Sequence, residues 1–418
     1  MLKENLNLAV LTDETLTTEK FLRATSAILD NGAGLLIYKR KPQEADYLEN
    51  ATLLKKEALA KEVSFFVCDD VDLALKLEAG LCFSSLETLK ASAGDNKPFG
   101  VIVSSLEEAR EAKSAGADFL LYGRIFEEGR LEVDKETTLA LSALGVPVLL
   151  YGGISSGNVS LLAGTGLSGV LVKKAFYSLP NPMLEVKRLK NRLDFILNAK
   201  TLAKGMLFDL DGVLTDTLAF WQNLAVDYLR QNGYDPGPDL IEIIEEKTLP
   251  EQAGYIKHNY SVYDGIGEMI YTWLGQLETY YKKEAKAKED VKAVLSLLKD
   301  KNIALKAYTL NPSDLALTLL KQTGLANLLD GIESAWNDKF EPTDSRLYKQ
   351  AGMSLGLAGE SVLVFEDSIF ALRAASRAGY KTVAIYDPNH TKNNWKLMVQ
   401  EADLAFNSFT EVKNWLEN

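Results

Sequence analysis

Short apolar runs alternate with segments of helical pattern through the first half of the chain, and this alternation constrains the fold more than any other feature. The strand candidates are Leu8 to Thr12, Gly34 to Tyr38, Ser64 to Cys68, Gly80 to Phe83, Phe99 to Val103, Asp118 to Tyr122, Pro147 to Tyr151 and Gly169 to Val172. A doubly wound sheet shows the same alternation, so the number of units decides between the two folds. Eight strand-helix units in about 190 residues predict a small α/β domain of the (β/α)8 TIM-barrel type.

Charged residues and glycines follow several of these strands, at the end where parallel barrels have their binding sites. Lys39 and Lys41 follow the second strand, and Asp69 follows the third. Gly152 and Gly153 follow the seventh strand, where glycine lets backbone amides approach an anion closely. A simple tight turn is the alternative interpretation of the two glycines.

The stretch from Leu8 to Phe176 resembles the thiamine-phosphate synthase family, including its relatives of the thiazole tautomerase type. The segments that carry the resemblance are Leu-Thr-Asp13, Tyr-Lys39-Arg-Lys41, Cys-Asp69-Asp-Val-Asp, Gly-Ala-Asp-Phe-Leu-Leu-Tyr-Gly at 116–123 and Tyr-Gly-Gly-Ile-Ser-Ser-Gly-Asn-Val at 151–159. The resemblance implies that Lys39 and Lys41 face a pyrophosphate and that Asp69 faces a magnesium ion. It also implies that Gly152 and Gly153 bind a substrate phosphate.

This half of the chain also departs from that family. Ile37 stands where the family has Gln before the basic pair, and Cys68 stands where it has Asn. The family's phosphate loop is replaced by the segment from Arg124 to Arg130, in which Glu127 and Glu128 would repel an anion. These departures favour a barrel that binds a ligand or supports its neighbour over an active synthase.

A second chemical signal lies between Gly205 and Thr217, where an apolar run stops at Asp209-Leu-Asp211-Gly212. A buried strand followed by a glycine turn fits this pattern, and it would bring both carboxylates to the ligand-binding end of a parallel sheet. Two carboxylates so close repel each other unless a cation or a shared proton relieves them, and magnesium suits such a site. A solvated Asp-Gly turn is the alternative, so the motif needs partners elsewhere.

Later segments supply those partners. They are, in chain order, Thr309 and Asn311 after the apolar run 303–308, Lys339 in the next connection, and Glu366 and Asp367 after the run 362–365. Together with the acidic motif they make four pieces, whose order resembles the haloacid dehalogenase superfamily, chiefly its phosphatases and its phosphoglucomutase-like branch, from Gly205 to about Pro388. The resemblance implies a Rossmannoid α/β domain that uses Mg²⁺.

The residue types fit a phosphoryl transfer in two steps. Asp209 would attack phosphorus to form an aspartyl-phosphate, and Asp211 would protonate the leaving oxygen and then activate water. Thr309 would donate a hydrogen bond to the phosphoryl group, and Lys339 would supply positive charge. The expected magnesium ligands are Asp209, Asp211, Glu366, Asp367 and the carbonyl of Leu210, and the expected phosphate contacts are Asn311 and the amide of Gly212.

The interval 218–300 is too long for a loop and carries apolar stripes at helical spacing. It resembles the small helical cap of the superfamily, which closes over small substrates and excludes water. Lys247, Lys257 and His258 are the cap residues that could meet a substrate. The phosphomutase branch has a histidine soon after the acidic motif where this chain has Trp221, and this difference favours hydrolysis.

Length, charge and cysteine usage bound the class of protein. A chain of 418 residues exceeds one ordinary core, so we expect a barrel domain over 1–198 and a hydrolase domain over 199–418. The net charge of -12 argues against nucleic acid or an anionic membrane as partner. Cys68 and Cys82 form no metal or redox motif, and the first residues lack a signal-peptide core, so we expect a cytoplasmic location.

Together these patterns predict a magnesium-dependent phosphatase that acts on a small phosphorylated metabolite, with a thiamine-related phosphate as one candidate. A bifunctional thiamine-phosphate synthase and phosphatase is an open alternative, and so is a phosphatase joined to a non-catalytic, ligand-binding barrel. A phosphomutase is the alternative that Trp221 disfavours.

Overall fold

Two compact units make up the chain. The computed structural model describes residues 6–12, 18–42, 46–92, 98–126, 130–173, 177, 181–244, 247–336, 343–357 and 359–418. The division between the units falls after Ala199, so one comprises Met1–Ala199 and the other Lys200–Glu417. Within the described residues, no helix is long and apolar enough to cross a membrane.

The first unit is a closed barrel of eight parallel strands. The strands are β1 Leu8–Leu11, β2 Leu35–Tyr38, β3 Ser64–Cys68, β4 Gly80–Phe83, β5 Phe99–Val103, β6 Phe119–Gly123, β7 Val148–Tyr151 and β8 Gly169–Val172. Its helices are Thr18–Leu29, Tyr47–Ala60, Val71–Lys76, Leu86–Ala91, Leu106–Ser114, Lys135–Ser142 and Pro182–Leu202, with a 3-10 turn at Val159–Leu162. Consecutive strands pair in order, and β1 pairs with β8 to close the sheet. The predicted (β/α)8 barrel is confirmed.

Side chains fill the interior of the barrel. Phe66 and Phe119 meet there edge to face, with their ring centroids 5.3 Å apart. A Cβ atom at Gly80 would lie 2.5 Å from the Phe66 ring, and one at Gly100 would lie 2.2 Å from the Phe119 ring. Glycine at these two strand positions therefore makes room for the two rings, and the barrel has a packed core rather than a pore.

The second unit is built on a six-stranded parallel sheet in the order β11-β10-β9-β12-β13-β14. The strands are β9 Gly205–Phe208, β10 Ala304–Thr309, β11 Gly331–Ser334, β12 Val362–Glu366, β13 Lys381–Ile385 and β14 Leu404–Phe406. Its helices are Leu218–Gln231, Leu240–Ile244, Leu249–Tyr260, Ile266–Lys283, Val291–Asp300, Ser313–Thr323, Ser345–Met353, Ile369–Arg377, Lys392–Glu401 and Phe409–Glu417. The chain leaves β9 toward β10 on one side and returns to β12 on the other, so the end of β9 is a switch point where ligands bind in such sheets. The predicted Rossmann-like domain is confirmed.

Four of these helices, from Leu218–Gln231 to Ile266–Lys283, form the insertion between β9 and β10. Their shared core contains Trp273, which is fully buried and meets the ring of Tyr228 edge to face at 5.9 Å. The next helix, Val291–Asp300, packs instead against β10 and the C-terminal helix. The insertion is therefore shorter at its end than the interval 218–300 expected from the sequence.

Candidate active site

Three carboxylates meet at the ends of β9 and β12. Asp209 follows β9, Glu366 is the last residue of β12, and Asp367 comes next. One oxygen from each lies within 4.8 Å of the others. The Asp209 amide donates a hydrogen bond to the carbonyl of Phe365 at 3.2 Å, which continues the pairing of the two strands into the site. Parallel strand pairing thus brings together acidic residues that lie more than 150 residues apart in the sequence.

Burial and mutual repulsion make this cluster unfavourable without a counter-charge. Burial, followed by the charges of Glu366, Asp367 and Asp211, raises the pKa of Asp209 well above its ordinary value. Burial and then Asp367 raise the pKa of Glu366 to about 8, although the hydroxyls of two tyrosines donate to its carboxylate. These donors are Tyr308 at 2.5 Å and Tyr348 at 2.9 Å. A divalent cation among these oxygens would remove the repulsion.

Gly212 lies directly against this cluster. Its backbone has a φ of +86°, and a Cβ atom there would be only 1.9 Å from the Oδ2 atom of Asp367. Glycine is thus required both by the backbone conformation and by the neighbouring carboxylate. Its amide donates to the carbonyl of Thr215 at 3.0 Å. The phosphate contact of this amide stays a prediction.

The carbonyl of Leu210 is also used within the same turn. It accepts hydrogen bonds from the amide of Thr215 at 2.9 Å and from the Thr215 hydroxyl at 2.8 Å. The turn therefore already uses this carbonyl as an acceptor, and the metal contact of Leu210 stays a prediction.

Asp211 is held apart from the three clustered carboxylates by its own set of donors. Its Oδ1 atom accepts from the hydroxyls of Thr217 at 2.6 Å and Tyr281 at 2.5 Å, and its Oδ2 atom accepts from the Asn311 amide at 2.7 Å. Burial raises its pKa in spite of these hydrogen bonds. Both oxygens are thus committed to protein donors, and this environment suits an acid-base group better than the metal ligand that was also predicted.

Thr309 and Asn311 follow β10 on the other side of β9. The buried hydroxyl of Thr309 accepts a hydrogen bond from the backbone amide of Asn311 at 3.1 Å and keeps a hydrogen to donate. The backbone carbonyl of Asn311 accepts a hydrogen bond from the Ser334 hydroxyl at 2.5 Å, and the side-chain nitrogen of Asn311 donates to Asp211. Asn311 therefore orients Asp211, whereas the sequence suggested a contact with phosphate.

Two further groups at this site were not predicted from the sequence. His390, in the loop after β13, has its Nε2 atom 3.2 Å from the Oδ2 atom of Asp367, and both side chains are buried. Its position after a strand of the same sheet was a signal that could have found it. Tyr281 reaches Asp211 from the helix Ile266–Lys283, and no pattern near the acidic motif points to it.

Two cavities open beside these residues. One, of about 600 Å³, is lined by Asp211, and the other, of about 450 Å³, is lined by Asp209, Glu366 and Asp367. Lys247 lines both of them. Among the other cap candidates, His258 is exposed, and Lys257 donates to the carbonyl of Asp264 at 2.8 Å, which makes it a support of its own loop. Lys339 lies outside the described residues.

The barrel brings some of its predicted site residues together. The Nζ atom of Lys39 lies 3.7 Å from the Oδ2 atom of Asp69, because they follow the neighbouring strands β2 and β3. Asp69 has a φ of +57°, and its Oδ1 atom accepts from the Ser84 amide at 2.8 Å. Lys41 is exposed. The replacement segment that contains Glu127 and Glu128 falls partly outside the described residues, which omit 127–129.

The two glycines after β7 are explained by contacts within the barrel. A Cβ atom at Gly152 would lie 2.6 Å from the Cα atom of Arg124, and one at Gly153 would lie 2.4 Å from the carbonyl oxygen of Phe126. Both residues also have positive φ. Close backbone approach requires glycine here whether or not a phosphate binds, so these residues alone do not identify a phosphate site.

Comparison with known proteins assigns each unit a family. Residues 8–176 match the family model of thiamine monophosphate synthase, and residues 206–385 match that of haloacid dehalogenase-like hydrolase. The thiamine-phosphate synthase of Desulfitobacterium hafniense is 31% identical over 197 residues, which cover 44% of this chain and 95% of that protein. The thiamine-phosphate synthase of Methanobrevibacter smithii is 26% identical over 196 residues, or 44% of this chain and 94% of that protein.

Among solved structures, a putative beta-phosphoglucomutase from Thermotoga maritima is 23% identical and covers 51% of this chain and 98% of its own, with a TM-score of 0.44. The thiamine phosphate pyrophosphorylase from Pyrococcus furiosus is 27% identical and covers 46% of this chain and 98% of its own, with a TM-score of 0.41. The two family matches confirm both resemblances seen in the sequence.

Proposed function

The chain belongs to the thiamine-phosphate synthase family through its N-terminal unit and to the haloacid dehalogenase-like hydrolases through its C-terminal unit, and from this premise we propose a magnesium-dependent phosphatase acting on a small phosphomonoester. The observation that carries the proposal is the meeting of Asp209, Glu366 and Asp367 beside a separately held Asp211. This arrangement would supply a cation site, a nucleophile and an acid-base group within one switch-point crevice.

The donor set fits magnesium. Asp209, Glu366 and Asp367 offer carboxylate oxygens within 4.8 Å of one another, and oxygen is the donor that this hard cation prefers. When bound, the ion would neutralise charge on the phosphoryl group and on the carboxylates around it. Asp367 is held in place by His390, and Glu366 by Tyr308 and Tyr348.

Asp209 is the proposed nucleophile. It sits at the end of the central strand β9 with its backbone amide bound to Phe365, so its position is fixed by the sheet. Attack of its carboxylate on phosphorus would form an aspartyl-phosphate and release the alcohol, and water would then cleave this intermediate. Thr309, whose hydroxyl keeps a hydrogen to donate, and Lys339 are the proposed partners of the phosphoryl oxygens.

Asp211 is the proposed general acid and base. A buried carboxyl with a raised pKa retains a proton at a higher pH than an exposed one, which suits protonation of a leaving alkoxide. After the alcohol leaves, the same group, now ionised, would accept a proton from the attacking water. Tyr281, Thr217 and Asn311 would hold the carboxylate in one orientation through both steps.

Hydrolysis is favoured over phosphate transfer within a sugar by the residue that enters the cap. Trp221 occupies the position where the phosphomutase branch has a histidine, and its indole nitrogen donates to the Tyr281 hydroxyl at 2.9 Å. An indole N–H can donate a hydrogen bond but cannot shuttle a proton. Water therefore remains as the acceptor of the phosphoryl group.

The test is phosphate release by the purified full-length protein from a panel of phosphomonoesters, with magnesium and with magnesium removed by a chelator. We expect release that requires magnesium and that falls at least a thousandfold in Asp209→Asn, because the amide cannot attack phosphorus. Asp216→Asn is the matched control, since Asp216 belongs to the same loop but is exposed. If Asp209→Asn releases phosphate as fast as Asp216→Asn and the wild-type protein do, the proposed nucleophile is excluded.

A bifunctional protein is the second candidate, in which the barrel makes or binds a thiamine-type phosphate that the C-terminal unit dephosphorylates. The contact between Lys39 and Asp69 supports it, because a base and an acid at neighbouring strand ends could hold a pyrophosphate and its magnesium ion. Calorimetry with thiamine phosphate and magnesium tests it. Binding by the wild-type protein that is lost in Lys39→Ala supports the candidate. If neither the wild-type protein nor Lys39→Ala releases or absorbs heat on addition of the ligand, the candidate is removed.

A further inference from the structure

The larger cavity of the site adjoins the proposed acid-base group and has mainly apolar walls. Its volume of about 600 Å³ lies in the range of small-molecule sites. Besides Asp211, the lining includes Trp221, Trp336, Ile244 and Leu249. Because Asp211 would protonate the leaving oxygen, the part of the substrate that departs as an alcohol would occupy this cavity.

The indole of Trp221 is fixed in orientation at this cavity. Its nitrogen donates to the Tyr281 hydroxyl at 2.9 Å, and that hydroxyl in turn donates to Asp211 at 2.5 Å. The one polar atom of the ring is thereby used within the protein. What the ring offers to a leaving group is its apolar surface.

Several polar side chains that line the cavity have their donors engaged elsewhere. The Gln252 side-chain nitrogen donates to the carbonyl of Lys247 at 2.8 Å, and that of Gln222 donates to the carbonyl of Asn389 at 3.2 Å. The Thr248 hydroxyl donates to Glu251 at 2.8 Å. Because these donors are engaged, a sugar enclosed here would lose water from its hydroxyls and would find replacement donors chiefly at Lys247 and His390. Hydroxyls left unpaired oppose binding.

We propose that the leaving group is planar and aromatic or heteroaromatic, and that Trp221 and Trp336 hold it by ring contacts. This inference rests on the proposed phosphatase function and adds the class of substrate to it. The two rings come from different segments, one from the helix Leu218–Gln231 and one from the connection after β11. Aromatic contacts supply affinity without the hydrogen bonds that a sugar needs.

The experiment compares esters of primary alcohols in the full-length protein with magnesium. The aromatic probes are benzyl phosphate and pyridoxal 5'-phosphate, and the sugar probes are ribose 5-phosphate and glucose 6-phosphate. We expect a higher kcat/KM for the aromatic esters, and an approximately tenfold loss for them alone in Trp336→Ala, with recovery in Trp336→Phe. Trp336 is the residue to change because, unlike Trp221, it makes no hydrogen bond to Tyr281.

A binding measurement separates this inference from the phosphatase proposal. Calorimetry compares benzylphosphonate with methylphosphonate, neither of which can be hydrolysed at the phosphorus-carbon bond. Tighter binding of benzylphosphonate without turnover of any ester would support the aromatic site and overturn the phosphatase. Preferred hydrolysis of sugar phosphates, or an equal loss for both ester classes in Trp336→Ala, would overturn the aromatic site and leave the phosphatase standing.

Discussion

Replacing Gly212 by alanine should disable the proposed metal site by displacing one carboxylate. The added Cβ atom would lie 1.9 Å from the Oδ2 atom of Asp367, about 1.5 Å closer than an ordinary contact at 3.4 Å. Asp367 is also held by His390 at 3.2 Å, so it cannot move without breaking that contact. A displacement of more than 1 Å at a reacting centre costs about a hundredfold in rate, and we expect at least this loss in kcat/KM.

The backbone contributes a separate effect on stability. A φ of +86° costs a residue with a side chain about 1–2 kcal/mol, and the free energy of unfolding should fall by at least this amount. Gly233→Ala is the matched control, because Gly233 has a φ of +80° and nothing within 4 Å of a Cβ atom placed on it. Both variants should therefore lose stability, but only Gly212→Ala should lose magnesium affinity.

The assay is phosphate release as a function of magnesium concentration, with unfolding by urea measured on the same samples. We expect the magnesium concentration for half-maximal activity to rise at least tenfold in Gly212→Ala and to stay within about twofold in Gly233→Ala. If Gly212→Ala keeps the magnesium response and the activity of Gly233→Ala, then the contact with Asp367 does not control the site, and the reasoning from geometry is refuted.

Two further variants test parts of the same unit. Tyr281→Phe removes a 2.5 Å hydrogen bond to Asp211 while leaving the ring, so kcat should fall about tenfold. The dependence of the rate on magnesium concentration should stay unchanged. A change in that dependence would instead place Tyr281 in the metal site. Burial alone would raise the pKa of Asp387, but Lys288, 2.7 Å away, and hydrogen bonds from Asn389 lower it below its ordinary value. A lowered pKa in the folded state gives stability that is present above about pH 4 and lost as the pH falls through the folded pKa. Lys288→Met should therefore cost about 3 kcal/mol at pH 7 and less at about pH 3. Urea unfolding at the two pH values checks this, and an equal cost at both would refute it.

The sequence by itself determined the two folds and the carboxylates at their strand ends. An apolar run that stops at a polar residue is a local pattern, and Asp209, Thr309 and Glu366 each follow or end such a run. Parallel strands share one end of a sheet, so locating three runs was enough to bring these residues to one edge. The same reasoning placed Lys39 and Asp69 at one end of the barrel, and the structure shows their side chains 3.7 Å apart.

Only the tertiary structure decided what each polar atom at that edge contacts. The Leu210 carbonyl and the Gly212 amide were expected to face ligands, yet both bind Thr215, because the turn after β9 folds back on itself. Tyr281 reaches Asp211 from a cap helix 70 residues further along the chain, and no local pattern encodes that approach. Local apolar patterning sets where a strand ends, whereas the three-dimensional position of whole elements sets which groups become hydrogen-bond partners. For this reason the sequence located the site but not its internal contacts.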